Sequence, residues 1–310
     1  MSGPGADLGI TVVILAYNEA IHIRRCIERI RPIASRIVVV DSFSTDGTVE
    51  IARELGAEVL QRRFTFHADQ FRWGLEQARV ESGWVLRIDC DEYLQPALID
   101  EIRRRLPALP ASAGAVEFRL RVHFQGRWIR WGGYYNTVLT RLWRAGAAEI
   151  EQRWMDERIV VKQGEVIRFA AGDLVDENLR DIAHWTEKHN AYSTRHMIQF
   201  IALEYGLIAT ADTGGHNRQG RRKRFMRDRL YARSPLYLRA ILYFFVRYVL
   251  KLGFLDGKQG FIWHTLQGYW HILLIDVKIG EARRFIAEHG LDAFRRHVSD
   301  RFGLQLTELG

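Results

Sequence analysis

The sequence predicts an α/β fold in which a mostly parallel β-sheet carries helices on both faces, followed by a helical region. Three observations predict this fold class. Short apolar runs alternate with amphipathic segments over roughly the first hundred residues, which indicates buried parallel strands joined by helices. These runs end in acidic residues, and ligands of open α/β sheets bind outside that edge. In the last third of the chain, apolar residues recur at helical spacing instead.

The first apolar run, residues 10–15, predicts a buried strand. Asn18 follows it and can cap a helix whose apolar face includes Ile23 and Ile27. Pro32 ends this helix, because proline has no backbone N–H to continue it.

The same alternation of strand and helix continues toward residue 92. Each strand is a short run rich in Val and Ile, and each helix has an apolar face and a stop signal. The predicted elements are a strand at 37–40, a helix at 49–55 that stops at Gly56, a strand at 58–61, a helix at 67–80 and a strand at 84–88.

The middle of the chain predicts exposed strands, and the remainder predicts helices. Apolar and charged residues alternate over 118–124, and Gln125 with Gly126 predicts a hairpin turn. Further strands are predicted at 128–131 and 138–143, and a long helix at about 178–205. We therefore expect two domains, residues 1–175 and residues 176–310.

A basic cluster precedes an apolar helix in the last third of the chain. Ser234 and Pro235 predict the start of that helix and Gly253 its end. Because cations before an apolar helix favour an anionic lipid surface, we expect this cluster to bind membrane headgroups or acceptor phosphates. The cluster consists of Arg221, Arg222, Lys223 and Arg224.

One face of the same helix carries Arg239, Tyr243, Arg247 and Lys251 at four-residue spacing. This pattern predicts a helix in the membrane interface with its cations reaching headgroups. The alternative is a pair of core helices in a helical appendage. The charges are too frequent for a transmembrane span.

Composition indicates a globular protein with an anionic partner. The chain has 310 residues, 47% of them hydrophobic, and a net charge of +8. Cys26 and Cys90 form no disulfide framework or metal-binding spacing, which favours a reducing compartment. The N-terminus lacks the pattern of a secretory signal.

The acidic strand ends suggest the chemistry. Asp89 and Asp91 directly follow the predicted strand at 84–88. Two carboxylates so placed can hold Mg²⁺ or Mn²⁺, which prefer oxygen ligands, and such a cation can neutralise a diphosphate. Asp41 ends the strand at 37–40, where a carboxylate can accept hydrogen bonds from a nucleoside.

Together these motifs resemble the inverting glycosyltransferases of family 2, which have a GT-A fold with a Rossmann-like, mostly parallel sheet. Within that family the chain is similar to the bacterial branch that builds lipopolysaccharide cores and exopolysaccharides. The most specific matches lie in the first third of the chain. The matching segments are 15–19, 40–48 and 87–92, with weaker matches at 70–73, 154–157 and 252–257.

The resemblance implies roles for individual residues. Asp91, with Asp89, would bind the divalent metal (Mg²⁺ or Mn²⁺) and the diphosphate. Asp156 or Glu157 would be the general base that activates the acceptor hydroxyl. Relatives usually carry Ala where this chain has Cys90. The nucleotide-binding set is Ala16, Tyr17, Glu19, Asp41, Ser42, Gln70 and Asp89.

The predicted function is therefore a metal-dependent, hexosyltransferase-type inverting glycosyltransferase of polysaccharide or lipopolysaccharide biosynthesis. Its partners would be a nucleotide-sugar donor (a UDP-sugar for preference), a lipid-linked saccharide acceptor and an anionic membrane surface. We expect a peripheral protein on the inner face of the cytoplasmic membrane. The alternatives are a basic nucleic-acid-binding protein and a non-catalytic membrane scaffold. Acids at the sheet edge would repel a polyanion, so no nucleic-acid partner is expected.

Overall fold

The structure is a computed structural model that describes residues 7–81, 83–151, 157–207 and 235–302. These residues belong to two compact units, which divide between Arg180 and Asp181. Each unit is described by itself below.

A single large sheet organises the first unit. In the described part of this unit, its strands lie in the order β3-β2-β1-β4-β8-β6-β12-β5, with β7 and β11 also paired to β6. Strands β1, β2, β3 and β4 are parallel to one another, and β8 runs antiparallel between β4 and β6. The strands are β1 (Ile10–Ala16), β2 (Arg36–Asp41), β3 (Glu58–Gln61), β4 (Trp84–Asp89), β5 (Glu92–Leu94), β6 (Ala113–Phe124), β7 (Arg127–Trp128), β8 (Val138–Arg144), β11 (Glu165–Arg168) and β12 (Leu174–Glu177); β9 (Ala148–Ile150) and β10 (Ile159–Val161) pair separately.

Helices cover both faces of this sheet. One face buries apolar residues of α1 (Ala20–Ile30), α2 (Thr48–Glu54) and α4 (Pro96–Arg105). The other face buries α3 (His67–Ala78), whose Phe71 packs with Val13, Val38 and Val40. The strands are apolar on both sides because both sides are covered. The predicted α/β architecture, a mostly parallel sheet with helices on both faces, is confirmed.

Several predicted elements need adjustment. Asn18 does not cap α1: Glu19 is the first residue outside the helix, and Asn18 has a φ of 54°. The Asn18 side chain instead accepts a hydrogen bond from the backbone N–H of Thr45 at 2.8 Å. The strand predicted at 128–131 is only the two residues of β7. The predicted hairpin turn is confirmed, since Gln125 and Gly126 both have positive φ.

Five short strands, β5, β9, β10, β11 and β12, were not predicted from the sequence. Strand β5 pairs antiparallel with β12, and β12 pairs parallel with β6. Each is three or four residues long, so neither has enough alternation to stand out. Their pairing encloses the turn that holds Asp91, because β5 starts directly after it.

The second unit is helical in its described part. The helix predicted at 178–205 begins later, at Ile182, where the Asp181 carboxylate accepts a hydrogen bond from His184 N–H at 2.9 Å. The chain from 238 to 263 is broken by π-helical and 3₁₀ turns. The helices are α5 (Ile182–Glu204), α6 (Leu238–Phe245), α7 (Gly257–Trp263), α8 (His271–His289) and α9 (Leu291–Phe302), with π-helical turns at Val246–Leu250 and His264–Trp270 and a 3₁₀ turn at Gly253–Asp256.

The predicted cationic face of α6 is wrong for Arg239. This side chain is buried, and its Nε donates to Asp276 Oδ1 of α8 at 2.6 Å. Asp276 is fully buried and also accepts from Tyr237 N–H at 2.7 Å. A buried guanidinium needs a buried carboxylate, so Arg239 fastens α6 to α8 and does not reach lipid headgroups.

Close backbone packing shapes the turn after α6. A Cβ at Gly253 would lie 2.4 Å from His264 Nε2, and a Cβ at Gly260 would lie 2.4 Å from Asp256 Cβ. Gly253 therefore does not simply stop the helix as predicted; it lets the 3₁₀ turn pack against His264. Among the residues that the structure describes, no helix combines the length and apolarity needed to cross a bilayer.

Candidate active site

The carboxyl edge of the parallel strands collects most of the predicted site residues. Ala16 of β1 lies in register with Asp41 of β2, and Leu15 lies in register with Asp89 of β4. The strand ends therefore place Asp41, Ala16 and Asp89 side by side along one edge, where ligands of open α/β sheets bind.

Asp41 is fully buried and organises the loop after β2. Its carboxylate accepts hydrogen bonds from the backbone N–H of Ser44 at 3.0 Å, from the Ser44 hydroxyl, and from Gln61 Nε2 at 3.0 Å. Gln61 ends the neighbouring strand β3. These donors hold Asp41 as the anchor of the 42–44 loop.

Other predicted nucleotide-binding residues surround this loop. Gln70 of α3 is fully buried, and its Nε2 donates to the Ser42 hydroxyl at 3.3 Å and to the Arg62 carbonyl at 3.2 Å. Tyr17 and Phe43 are exposed at the ends of neighbouring strands. This edge of the sheet therefore combines buried polar groups with two exposed aromatic rings.

Glu19 is tied to the segment after β12 through a buried histidine. Leu179 N–H donates to His22 Nε2 at 2.8 Å, so His22 Nδ1 carries the proton and donates to Glu19 Oε2 at 2.5 Å. Fixing the tautomer also fixes the orientation of the Glu19 carboxylate. No local pattern of residues indicates this role of His22.

Asp89 lies between two buried arginines. Arg141 of β8 contacts its Oδ2 at 3.3 Å, and Arg87 contacts its Oδ1 at 3.8 Å. Burial alone would raise the pKa of Asp89, but the charges of Arg141 and Arg87 outweigh burial and lower that pKa well below its ordinary value. Asp89 is therefore ionised at neutral pH.

Glu92 shares Arg141 with Asp89. One Glu92 oxygen pairs with Arg141, and the other accepts from Asp89 N–H at 2.9 Å, which closes the turn around Asp91. Burial raises the pKa of Glu92 to about 8, an effect that Arg141 opposes and the Asp89 charge reinforces. The turn is therefore held at its base by a buried charge network.

Asp91 lies at the tip of this turn and is half-buried. Asn178 Nδ2 donates to Asp91 Oδ2 at 3.1 Å, and the side-chain Oδ1 of Asn178 accepts from Arg180 N–H at 2.9 Å. Glu177 N–H also donates to the Asp91 carbonyl at 3.0 Å. The segment after β12 thus orients the predicted metal ligand.

Cys90, between the two acids, is buried and its thiol donates to the Leu15 carbonyl at 3.2 Å. Burial raises the pKa of this thiol well above its ordinary value. Because the thiolate is the reactive form, Cys90 acts here as a small core residue of low reactivity.

Of the two predicted bases, Glu157 can be described. Glu157 Oε1 accepts a hydrogen bond from Arg87 Nη2 at 2.7 Å, and the Glu157 side chain is 10% exposed. Glu157 is therefore bound to the strand that carries Asp89. Asp156 and the predicted basic cluster, Arg221 to Arg224, lie outside the described residues.

The donor set at the tip fits a divalent metal that also binds a substrate. In the described part of the chain, no group of three or more His, Cys, Asp or Glu side chains could enclose a metal ion. Mg²⁺ is usually held by one or two carboxylates together with substrate phosphates. Ionised Asp89 and half-buried Asp91 supply that kind of partial oxygen site.

The chain matches a known family over most of this unit. The model named Glycosyl transferase family 2 matches residues 11–159, which include the acidic turn and the nucleotide edge. Residues 11–159 form a family 2 glycosyl transferase domain. That assignment agrees with the expected family.

Two curated relatives and one solved structure illustrate the similarity. An uncharacterized glycosyltransferase of Rickettsia felis is 39% identical over 93 residues, covering 30% of this chain and 32% of that protein. The lipopolysaccharide core biosynthesis glycosyltransferase LpsC of Rhizobium meliloti is 33% identical over 114 residues, covering 35% and 40%. The mannosyltransferase PcManGT of Pyrobaculum calidifontis, solved with GDP-Man and Mn²⁺, is 16% identical, covers 89% of this chain and 88% of its own, and has a TM-score of 0.46.

These curated alignments span about a third of the relatives' length. Together with the family 2 domain, they connect the chain to glycosyltransferases of polysaccharide and lipopolysaccharide biosynthesis.

Proposed function

We propose that the protein is a metal-dependent inverting glycosyltransferase that moves a hexose from a nucleotide sugar, a UDP-sugar for preference, to a lipid-linked saccharide. The acidic turn carries this proposal: Asp91 stands at the carboxyl edge of the sheet beside the predicted nucleoside residues, with its carboxylate oriented by Asn178. An edge of this kind suits a nucleoside diphosphate and the cation that accompanies it.

The chain's own residues prepare the donor site. The Asp41–Ser44 loop and Glu19 offer fixed polar groups to the nucleoside, and exposed Tyr17 offers an aromatic face. Asp89 and Asp91 would hold Mg²⁺ or Mn²⁺. When bound, that ion supplies positive charge that stabilises the departing diphosphate.

Deprotonation of the acceptor hydroxyl is assigned to the Asp156–Glu157 pair. A carboxylate that removes this proton as attack proceeds makes a weak nucleophile effective. Glu157 is already paired with Arg87 of β4. This ion pair favours Asp156 as the base, and it gives Glu157 the role of holding the segment to β4. Attack opposite the leaving diphosphate inverts the anomeric carbon.

The connection from β7 to β8 is a candidate acceptor surface. Strands β4 and β6 both run antiparallel to β8, so their carboxyl ends share one edge and this connection starts there. The guanidinium carbons of Arg121 and Arg130 lie 4.1 Å and 5.3 Å from the ring centroid of Trp128. The side chain of Trp131 is 37% exposed. Aromatic faces with guanidinium groups suit a saccharide that carries phosphate or carboxylate groups.

A lipid-linked acceptor would place the enzyme at the inner face of the cytoplasmic membrane. The net charge of +8 supports an anionic surface as partner, and the family's lipopolysaccharide relatives support a saccharide built on lipid.

A thermal-shift panel tests the proposal. The full chain is heated with UDP-, GDP- and other nucleotide sugars, each with Mn²⁺ or with a chelator, because a ligand of the native state raises the midpoint. We expect one donor class to raise the midpoint in Mn²⁺ and to lose most of that effect in chelator. A shift with DNA and none with any nucleotide sugar would instead favour the nucleic-acid alternative.

A further inference from the structure

The second unit presents an apolar face on the segment from α6 to α7. Five of its side chains follow the spacing i, i+3, i+4, i+7 and i+11, so they occupy one side of the helix. Other large apolar side chains continue the surface through the turns beyond it. The set, each member 40–63% exposed, is Leu238, Ile241, Leu242, Phe245 and Val249, followed by Leu250, Leu252, Phe254, Leu255 and Phe261.

The internal side of the same segment explains why this face points outward. Arg239 is buried against Asp276, and Ala240 is fully buried beside it. Arg247 lies 4.8 Å from the ring centroid of Tyr243 on that internal side. Arg239 therefore faces the protein and does not reach lipid headgroups as the sequence predicted, whereas Lys251 of the same row and the aliphatic side chains are exposed.

Charge on this surface has one sign. From residue 235 to residue 275 the sequence contains a single acid, Asp256, and its side chain is buried. Lys251 and Lys258 are exposed at the same segment. A surface whose exposed charges are cationic is complementary to phosphate headgroups.

Apolar patches of this extent mark interaction sites in soluble proteins. A bilayer interface suits the combination best, because it accepts aliphatic and aromatic side chains below the headgroups while lysines remain at the headgroup level. A protein partner would need no such uniform positive charge.

We propose that this face inserts into the interfacial layer of an anionic bilayer. Leu242 and Phe245 would enter the acyl boundary, and Lys251 and Lys258 would meet lipid phosphates. The inference rests on the proposed function only in giving a lipid-borne acceptor as the reason for membrane contact. It assigns docking to the aliphatic side chains together with Lys251 and Lys258, because Arg239 of the predicted cationic row is buried.

Vesicle flotation tests the proposal with the full chain. The probes are vesicles of phosphatidylcholine alone and vesicles containing one quarter phosphatidylglycerol. We expect the unsubstituted protein to partition to the anionic vesicles. Leu242→Glu and Phe245→Glu should each lower the partition coefficient at least about tenfold, since a charge at an inserted position opposes burial.

Leu203→Glu is the matched control, because Leu203 is exposed to 40% on α5, another element of the same unit. It should change partitioning less than about twofold. All variants should keep the thermal midpoint of the parent, since the substituted side chains are exposed.

Three results would overturn the proposal that this face binds a bilayer. The unsubstituted protein could fail to bind either kind of vesicle, or the two glutamate variants could bind vesicles as well as the parent. In sedimentation velocity, either variant could dissociate a dimer, which would show that the face is a contact between two copies of the chain. Nucleotide-induced thermal shifts separate the two proposals: flotation of the unsubstituted protein without any nucleotide-induced shift would refute the enzyme proposal alone.

Discussion

Phe43 adopts a backbone conformation that aromatic residues rarely take. Its φ is 64°, in the left-handed region where a bulky side chain is a genuine outlier. The hydrogen bonds of Ser44 to buried Asp41 enforce this geometry. Strain of this kind persists where the surroundings hold it, often at a ligand site, and the Phe43 ring is half exposed at the nucleotide edge.

Replacing Phe43 by Asn should therefore separate stability from affinity. Asn tolerates the left-handed region, so relief of strain should offset the lost ring contacts and leave stability within about 1 kcal/mol. If the ring stacks on the nucleobase, nucleotide affinity should fall roughly tenfold, since such stacking contributes about 1–3 kcal/mol. Calorimetric titration with UDP checks this.

Val166→Asn supplies the control, because Val166 is an exposed apolar residue on β11. It should leave nucleotide affinity unchanged. Equal affinities for the parent and Phe43→Asn would refute the stacking role.

The sequence predicted which acids stand at the strand ends but not what holds them. Asp89 and Asp91 were found because they follow a recognisable buried strand. Arg141 and Asn178 come from strands or loops more than 50 residues along the chain, and only the antiparallel insertion of β8 and the pairing of β12 bring them near. Neither has a local pattern of its own, so their orienting roles required coordinates.

Elements that depend on local pattern were predicted well, and elements that depend on distant pairing were not. Strands β1, β2 and β4 have largely apolar runs, and all four parallel strands agree with the prediction to within a few residues. Strand β5 exists because β12 pairs with it. Likewise, the outward side of α6 depends on Asp276 of α8, which four-residue spacing alone does not reveal.

The buried pair between α6 and α8 predicts a large local destabilisation when it is broken. Asp276→Ala leaves Arg239 buried without its carboxylate, which typically costs about 3–5 kcal/mol. Hydrogen exchange at α6 amides should accelerate accordingly. The double variant Arg239→Met, Asp276→Leu should recover most of the protection, because it removes both charges.

Arg283→Ala is the matched exposed control. Arg283 pairs with Glu204 at 2.6 Å, with both side chains more than a third exposed, and exposed pairs contribute at most about 1 kcal/mol. Similar exchange rates for Arg283→Ala and Asp276→Ala would contradict the role assigned to the buried pair.

For the molecule as a whole, the net charge of +8 does not identify which cations bind a partner. The +8 charge includes many arginines that bind carboxylates of the first unit, such as Arg25 with Glu177 and Arg87 with Glu157. Composition cannot separate such internal cations from those that meet a partner.

Buried histidines in the second unit predict a dependence of stability on pH. Burial lowers the pKa of His189 and His264 to about 4 and that of His271 to about 3, whereas the unfolded chain takes up these protons near pH 6.5. Because the unfolded state binds more protons below that pH, acidification should destabilise the unit.

We expect the stability of this unit to be nearly constant above pH 7 and to fall between pH 6.5 and pH 4. This stability is measured by hydrogen exchange at α8 amides, with the exchange rates corrected for the intrinsic rate at each pH. His189→Phe should reduce the slope. Unchanged or increased protection on going from pH 7 to pH 5 would contradict the assignment.

The central claim is that the Asp91 turn holds a divalent cation together with a nucleoside diphosphate. Titration of the full chain with Mn²⁺, followed by loss of the free-ion electron paramagnetic resonance signal with and without UDP, tests it most directly. We expect UDP-dependent Mn²⁺ binding that Asp91→Asn abolishes and that Asn178→Ala weakens about 10-fold or more, as for other groups that orient metal ligands. Asn136→Ala is the control and should leave this binding intact, because Asn136 is an exposed asparagine in the connection from β7 to β8. Equal Mn²⁺ binding by the parent and Asp91→Asn in the presence of UDP would contradict it.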